Sequence, residues 1–340
     1  MPRTPAPLET AILLAGGEGV RLRPLTDSMP KPLAPVGNAP MMAQILHGLK
    51  QQHFKRVALA TGYKADLIQD ELGDGARCGI TLRHIPECQP LGSAGALRNV
   101  CAGLPRWNHH TLLVAGADIL HDIQWDAVLQ THRASQALVT MICVEVDNQQ
   151  GFGICELTDD DRVTAFYEKP PPGVTDSRWA NAALWLFEPQ AIAQIAPRGF
   201  SMIETDLLPR LVAQGEVSAH RHRGYWLDVG TPERYLQANL DALDARFSIL
   251  PGANETEKSN EKANWTPPFL IGPNCDIADD AHICRSVIGA NVTIGARAIL
   301  DECVILDGAT IGADAVLRRC VVGGRNPVAA GASLLDTIIA

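Results

Sequence analysis

LLAGGEGVRLRPLTDSMPKPLAPV, residues 13–36, decides the fold class of this chain. The apolar run 11–15, Ala-Ile-Leu-Leu-Ala, stops at Gly16-Gly17-Glu18-Gly19, with Arg21 two residues on and Lys31 between two prolines. An apolar run that ends in glycines reads as a buried strand entering a tight loop. Without side chains, glycine backbone can turn its N–H groups toward a ligand, and a nest of N–H groups suits phosphate. Arg21 and Lys31 bring positive charge to the same stretch. Two familiar glycine loops are excluded. Leu22 stands where the dinucleotide fingerprint needs its third glycine, and the Gly-Lys-Ser/Thr of the Walker loop is absent.

Outward from this loop, apolar runs alternate with helical patterns as far as about residue 247. The patterning predicts strands at 11–15, 57–61, 81–85, 111–115, 138–146 and 181–187, and helices at 41–52, 64–72, 93–101, 124–133 and 232–243. Strands separated by helices of this length imply βαβ units and a mostly parallel sheet. Ligands of such sheets lie beyond the carboxyl ends of the strands, where residues 16–21 and Asp118 both fall.

The segment PGANETEKSNEKANWTPP (251–268) is polar, charged and bracketed by prolines, a linker composition. Residues 271–338 then divide into four units of 17. Ile271, Ile288, Ile305 and Val322 head the units; Ile277, Ile294, Ile311 and Val328 form a second column, and Ile283, Leu300, Leu317 and Leu334 a third. This 6, 6, 5 spacing is the hexapeptide pattern of a left-handed parallel β-helix, one triangular coil per unit. Cys303 and Cys320 share a column with Ser286 and Thr337, which favours small structural residues over reactive thiols. The expected organisation is a domain over 1–248, a linker over 249–269 and a four-coil β-helix over 270–340.

The composition, 46% hydrophobic and 20% charged over 340 residues, is that of a soluble globular protein. A net charge of −9 with no basic stretch argues against nucleic-acid binding. The N-terminal apolar run is too short for a signal or membrane segment. Nine scattered cysteines without a C-x-x-C pair point away from a disulfide scaffold or zinc site and toward a reduced, cytoplasmic protein.

In order and spacing, GGEGVRL, PLT and PKPL resemble the signature of the sugar-1-phosphate nucleotidyltransferases, and the resemblance continues from residue 10 to the end, repeats included. It implies a Rossmann-like α/β catalytic domain with a mostly parallel mixed sheet. It implies that Gly16, Gly17 and Gly19 hold the base and triphosphate, that Arg21 grips the phosphates and that Lys31 bridges to the α-phosphate. Asp118, after TLLVAGA, and Asp228, in WLDVGTP, would be the Mg²⁺ ligands. Glu168-Lys169-Pro170 matches the family's EKP, in which the lysine binds the sugar phosphate and the glutamate accepts from sugar hydroxyls; Gly153 and Asn181 fall at sugar contacts. PLGSAGAL resembles the family's base-holding segment, with Gly92 admitting the base and Ser93 capping the next helix. Glu87 bears on base choice: a carboxylate accepts from the paired N1–H and N2–H₂ donors of guanine, which favours GTP. Two positions depart from the family, Gly116-Ala117 standing for Asn-Gly and Ala183 for Gly.

Among hexapeptide-bearing members the resemblance is strongest to mannose-1-phosphate guanylyltransferases, with thymidylyl-, uridylyl- and heptose-1-phosphate enzymes as alternatives. A non-catalytic regulatory homologue would be expected to lose the charged residues, yet Arg21, Lys31, Asp118, Lys169 and Asp228 are all present. An acyltransferase reading of the repeats lacks its histidine base, since His282 is the only histidine after residue 222. The repeats are expected to form an oligomer-building cap, making the protein a homo-oligomer.

Overall fold

The computed structural model describes residues 7–250, 264–324 and 327–339, and its contacts divide the chain into two units. The first comprises residues 1–17 and 49–226, the second 18–48 and 227–340. Among the described residues, no helix is long and apolar enough to cross a membrane.

A nine-stranded mixed sheet organises the first unit. Its strands are β1 (Thr10–Ala15), β2 (Arg56–Thr61), β3 (Thr81–Pro86), β4 (Leu112–Gly116), β5 (Val139–Glu145), β6 (Gly153–Leu157), β7 (Val163–Glu168), β8 (Trp179–Phe187) and β9 (Val217–His222). The order is β7-β6-β8-β4-β1-β2-β3, with β5 pairing β8 and β9. β1 is parallel to β2 on one side (Ala11↔Val57) and to β4 on the other (Ala11↔Leu113). Five of its six residues are buried, as expected of a strand covered on both faces. The chain runs from β1 toward β2 and β3 and returns across β1 to β4, so the strand order reverses between β1 and β4. Ligands of open α/β sheets bind at such switch points. Gly16 and Gly17 leave β1 there and Asp118 follows β4, and the Ala117 N–H donates to Leu14 O at 3.1 Å. Three strands have no counterpart in the sequence expectation: β6, β7 and β9. β8 pairs antiparallel with β4, β5 and β6.

The second unit holds the repeats. Three parallel sheets stack in the register that the 17-residue period requires: Ile271↔Ile288↔Ile305↔Val322, Ile277↔Ile294↔Ile311 and Ile283↔Leu300↔Leu317↔Leu334. A bridge continues the second column from Ile311 to Val328. Ile288, Leu300, Leu317 and Val322 are wholly buried, as are Cys303 and Cys320, which lie inside the stack with Ser286. Corners recur at the same period: Arg285, Glu302, Arg319 and Asp336 all have positive φ. Their side chains alternate in charge along the stack. Arg285 pairs with Glu302 at 3.3 Å, Glu302 with Arg319 at 3.3 Å, and Arg319 with Asp336 at 2.8 Å.

Stacking begins before residue 270, because Trp265–Thr266 already pairs with His282–Cys284. Of the expected linker, residues 251–263 lie outside the described residues. The unit also includes a segment that composition alone assigns elsewhere. Helix Pro232–Leu243 binds residues 35–37: the Tyr235 hydroxyl donates to Pro35 O at 2.5 Å and Asn239 Oδ1 accepts from the Gly37 N–H at 3.0 Å. Asn38 Nδ2 in turn donates to Ile288 O of the β-helix at 2.8 Å. Polar and backbone contacts join these pieces, so the hydrophobic pattern is silent about them.

Candidate active site

Within the first unit, the end of β1 is walled by two other loops. A Cβ on Gly62 would lie 2.7 Å from Gly16 O, so the backbone after β2 approaches as only glycine permits. The Glu87 N–H donates to Thr61 O at 2.8 Å, which sets the residue after β3 beside β2. Its carboxylate then covers Gly16, with Oε1 3.0 Å from where a Gly16 Cβ would stand and Oε2 accepting from the Leu91 N–H at 3.0 Å. Burial pushes the Glu87 carboxyl above its ordinary value, and the Leu91 N–H partly opposes this. Gly17 has open space on its side-chain face.

Gly92 begins helix Gly92–Gly103 with φ +76, and a Cβ there would stand 2.4 Å from Ser201 O. Packing against Ser201 therefore demands this glycine. Ser93 does not cap the helix as expected; Leu91 holds the cap position, and the Ser93 hydroxyl binds residues 203 and 204 instead. Asp118 follows β4, its Oδ1 2.9 Å from the Cβ position of Gly116. Asparagine, usual there by family resemblance, would crowd this carboxylate as it now lies.

The motifs expected on the sugar side lie in the same unit. Gly153 pairs with Glu168 across β6 and β7, and a Cβ on it would strike the Phe166 ring at 2.6 Å and Glu168 Oε2 at 2.9 Å. Glu168 Oε1 is 3.0 Å from Lys169 Nζ. Lys169 holds φ +46, and its N–H donates to Phe152 O at 3.2 Å. Strain of this kind persists where surrounding structure over-determines it, often at ligand clamps. Asn181 is buried in β8, and its Oδ1 accepts from the Ala183 N–H at 3.1 Å. That bond supports Ala183 at φ +56, where the β8–β5 register shifts. Trp226 Nε1 donates to Ala182 O at 3.1 Å and its ring meets Phe152 edge-on at 5.8 Å. Sequence reasoning did not single out this aromatic pair, although Trp226 belongs to the WLDVGTP string.

In the second unit, Gly19 adopts φ +67 at the start of the turn Val20–Leu22, and its carbonyl accepts from the Thr26 hydroxyl at 2.9 Å. Lys31 is buried against it, with Cβ 3.1 Å from the Gly19 Cβ position. Arg21 and Asp228 converge on Gly230: Arg21 Nη2 lies 3.1 Å from that glycine's Cβ position and the two Asp228 oxygens 3.1 and 3.2 Å. Thr231 caps helix Pro232–Leu243 by accepting from the Arg234 N–H, which leaves Asp228 without a capping duty. Arg234 Nη1 instead binds Asp228 Oδ2 at 3.1 Å. Nothing in the sequence pattern marked this arginine; its only signal is its position three residues after the cap.

Asp118 and Asp228 supply hard carboxylate oxygens, and Gly116 and Gly230 leave bare the space over each that a Cβ would fill. Among the described residues, no group of three or more His, Cys, Asp or Glu is placed to hold a metal. Either carboxylate taken singly is of a kind that Mg²⁺ accepts, since that ion takes one or two from protein and the rest from phosphates and water.

Residues 10–245 match the family model for nucleotidyl transferase, and residues 265–340 that for the GMPPB C-terminal domain. Mannose-1-phosphate guanylyltransferase of Mycobacterium tuberculosis is 32% identical over 77% of this chain and 72% of its own length. The Danio rerio mannose-1-phosphate guanylyltransferase catalytic subunit beta is 30% identical over 78% and 73%. Among solved structures, HddC from Yersinia pseudotuberculosis superposes with a TM-score of 0.60 at 25% identity, covering 69% of this chain and 100% of that one. With its glycine loop at the sheet's switch point and its family model spanning the sheet domain, the chain belongs to the nucleotidyl transferase family.

Proposed function

We propose that this chain joins GTP to mannose 1-phosphate, giving GDP-mannose and pyrophosphate for glycoconjugate synthesis. The observation that carries the base assignment is the Glu87 carboxylate over Gly16, with Oε2 tied to the Leu91 N–H and Oε1 open to accept. Guanine alone among the common bases offers two adjacent donors to such a group. A phosphate oxygen of the sugar phosphate attacks the α-phosphorus; that P–O bond forms as the bond to the β-phosphate oxygen breaks, and pyrophosphate leaves. Catalysis of such a transfer is largely positioning and charge neutralisation. Gly16, Gly17 and Gly19 present backbone N–H groups to the triphosphate, and Gly92 opens the base-holding segment. Arg21 neutralises the leaving phosphates, and Lys31 the α-phosphate. Lys169 neutralises the sugar phosphate, while Glu168, Gly153 and Asn181 orient the ring. Asp118 and Asp228 would hold Mg²⁺, which when bound offsets the charge of the phosphate oxygens. A cytoplasmic location accords with nine free cysteines. Homo-oligomer formation through the β-helix accords with the exposed Leu335 on its last coil.

A pyrophosphate-release screen crossing four triphosphates with several sugar 1-phosphates tests the assignment. The highest kcat/KM is expected for GTP with mannose 1-phosphate, and preference for another pair overturns the substrate assignment. Lys31→Ala should chiefly lower kcat, and Lys169→Ala chiefly raise the sugar-phosphate KM. Exchanged phenotypes would mean that the two halves of the site are reversed.

A further inference from the structure

Lys31, buried beside Gly19, belongs to the unit of the β-helix and not to that of the large sheet, as do Arg21 and Asp228. A short series of hydrogen bonds connects this lysine with the repeats. The Ala34 N–H donates to Lys31 O at 3.1 Å and closes the turn Lys31–Leu33, while Ala34 O accepts from the Met41 N–H at 3.0 Å. Between Ala34 and Met41 lies a hairpin, Pro35–Val36 paired antiparallel with Ala39–Pro40. Its two linking residues, Gly37 and Asn38, both hold φ +60. Positive φ at both central positions is what a type I′ turn requires, and glycine and asparagine meet that demand. The Lys31 turn and the hairpin tip therefore form one hydrogen-bonded piece.

That tip is seated on the β-helix. Asn38 Nδ2 donates to Ile288 O at 2.8 Å, and the same carbonyl accepts from the Gly272 N–H at 2.7 Å. A carbonyl oxygen has two lone pairs, so the side chain fills the acceptor that the stacking of the first two coils leaves over. A Cβ on Gly37 would stand 3.3 Å from Ala242 Cβ and 3.7 Å from Leu270 Cδ1, which wedges the tip between helix Pro232–Leu243 and the first coil. Arg285 of that coil donates to both Asp244 oxygens, at 3.1 and 3.3 Å, and ties down the end of the helix. The turn itself has no need of the amide, since glycine accepts a positive φ more readily than asparagine. The amide serves a residue 250 positions away.

We propose that Asn38 is a positioning residue for Lys31, through which the first coils of the β-helix hold the lysine in register with the α-phosphate. This rests on the role given to Lys31 above. The repeats are then a working part of the catalytic apparatus as well as an assembly surface. A group displaced by about 1 Å can cost about a hundredfold in rate, so a hairpin freed from its seat carries a kinetic penalty even where the chain stays folded.

Asn38→Gly in the full chain tests this, because glycine keeps the turn and deletes the bond to Ile288 O. Asn38→Asp is its companion, since aspartate also tolerates left-handed φ but its oxygens cannot donate. The assay is steady-state pyrophosphate release with the best substrate pair of the screen above. It compares the unmodified chain, both Asn38 variants, Lys31→Ala, and Asn38→Gly combined with Lys31→Ala. Each Asn38 variant should lower kcat roughly tenfold to hundredfold, with both KM values within about twofold of the unmodified chain. In the Lys31→Ala background, Asn38→Gly should lower kcat no further, because a residue that acts through another falls silent once the other is gone. A merely structural contact would lower the melting temperature and leave kcat of the folded protein intact, or would cost the same factor with and without Lys31; either result overturns the proposal. Loss of folding in both Asn38 variants overturns it too. An undiminished kcat in Lys31→Ala removes the role of Lys31 and this proposal with it, whereas the substrate assignment stands or falls on the screen alone.

Discussion

Replacing Glu87 by glutamine should erode the preference for GTP while leaving the fold intact. Glutamine matches glutamate in volume and keeps one oxygen. In the present arrangement Oε2 accepts from the Leu91 N–H at 3.0 Å, while Oε1 stands over Gly16. The Leu91 N–H needs an acceptor, so it will claim the amide oxygen and turn the NH₂ toward Gly16. An NH₂ there opposes the guanine N1–H and N2–H₂ donor to donor. A mismatched hydrogen bond in a buried site costs about 1–3 kcal/mol, or about tenfold to hundredfold in kcat/KM for GTP. Uracil and thymine, which present an acceptor beside their donor, should be spared. The assay is kcat/KM for GTP, UTP and dTTP at fixed sugar phosphate, with a melting curve as the folding control. pH supplies a second readout. Burial raises the Glu87 carboxyl above its ordinary 4.5, so acid neutralises it earlier than a surface glutamate. The unmodified chain's GTP preference should therefore fall on the acid side, and the variant's should not. An unaltered kcat/KM for GTP, or an equal loss with all three bases, would refute the reasoning.

Three further outcomes are expected. Leu300→Ala, at a wholly buried position in the third β-helix column, should cost about 2–5 kcal/mol in urea unfolding. Thr310→Ala, at an exposed position of the same stack, should cost no more than about 0.5 kcal/mol, and equal costs would contradict the assigned interior. Ala183→Gly should raise the melting temperature by relieving a left-handed alanine at φ +56, worth roughly 1 kcal/mol, and a fall would mean that the methyl group packs productively. Glu188 accepts from the His132 ring at 3.0 Å and the Thr111 hydroxyl at 2.5 Å, and His132 foremost holds its carboxyl below the ordinary 4.5. Its stabilisation is complete above pH 4.5 and lost as pH falls through the depressed folded value, so Glu188→Gln should flatten the acid limb of stability against pH. Superimposable limbs for the two proteins would remove that assignment.

β1, the glycine loop and the 17-residue period were legible in the sequence for one physical reason: each imposes a local repeat on residue type. A strand buried on both faces must be continuously apolar, and residues 10–15 are nearly all so. A stacked coil must place an aliphatic residue at the same corner each turn, and Ile283, Leu300 and Leu317 obey this. The hairpin β6–β7 and strand β9 escaped because their side chains are half polar: in Val163–Glu168 only the first residue is buried, and Val217–His222 ends in His220-Arg221-His222. Motifs also revealed which residues could meet phosphates, without revealing what surrounds them. Tertiary structure alone decided that Glu87 covers Gly16, that Arg234 rather than a helix start engages Asp228, and that residues 35–38 join the β-helix unit. It also turned Ser93 from a helix cap into a link to residues 203 and 204. Apart from Arg234 and Asp228, six residues apart, these contacts join residues far apart in the chain, and each depends on where two backbones arrive, which no periodicity of one segment records.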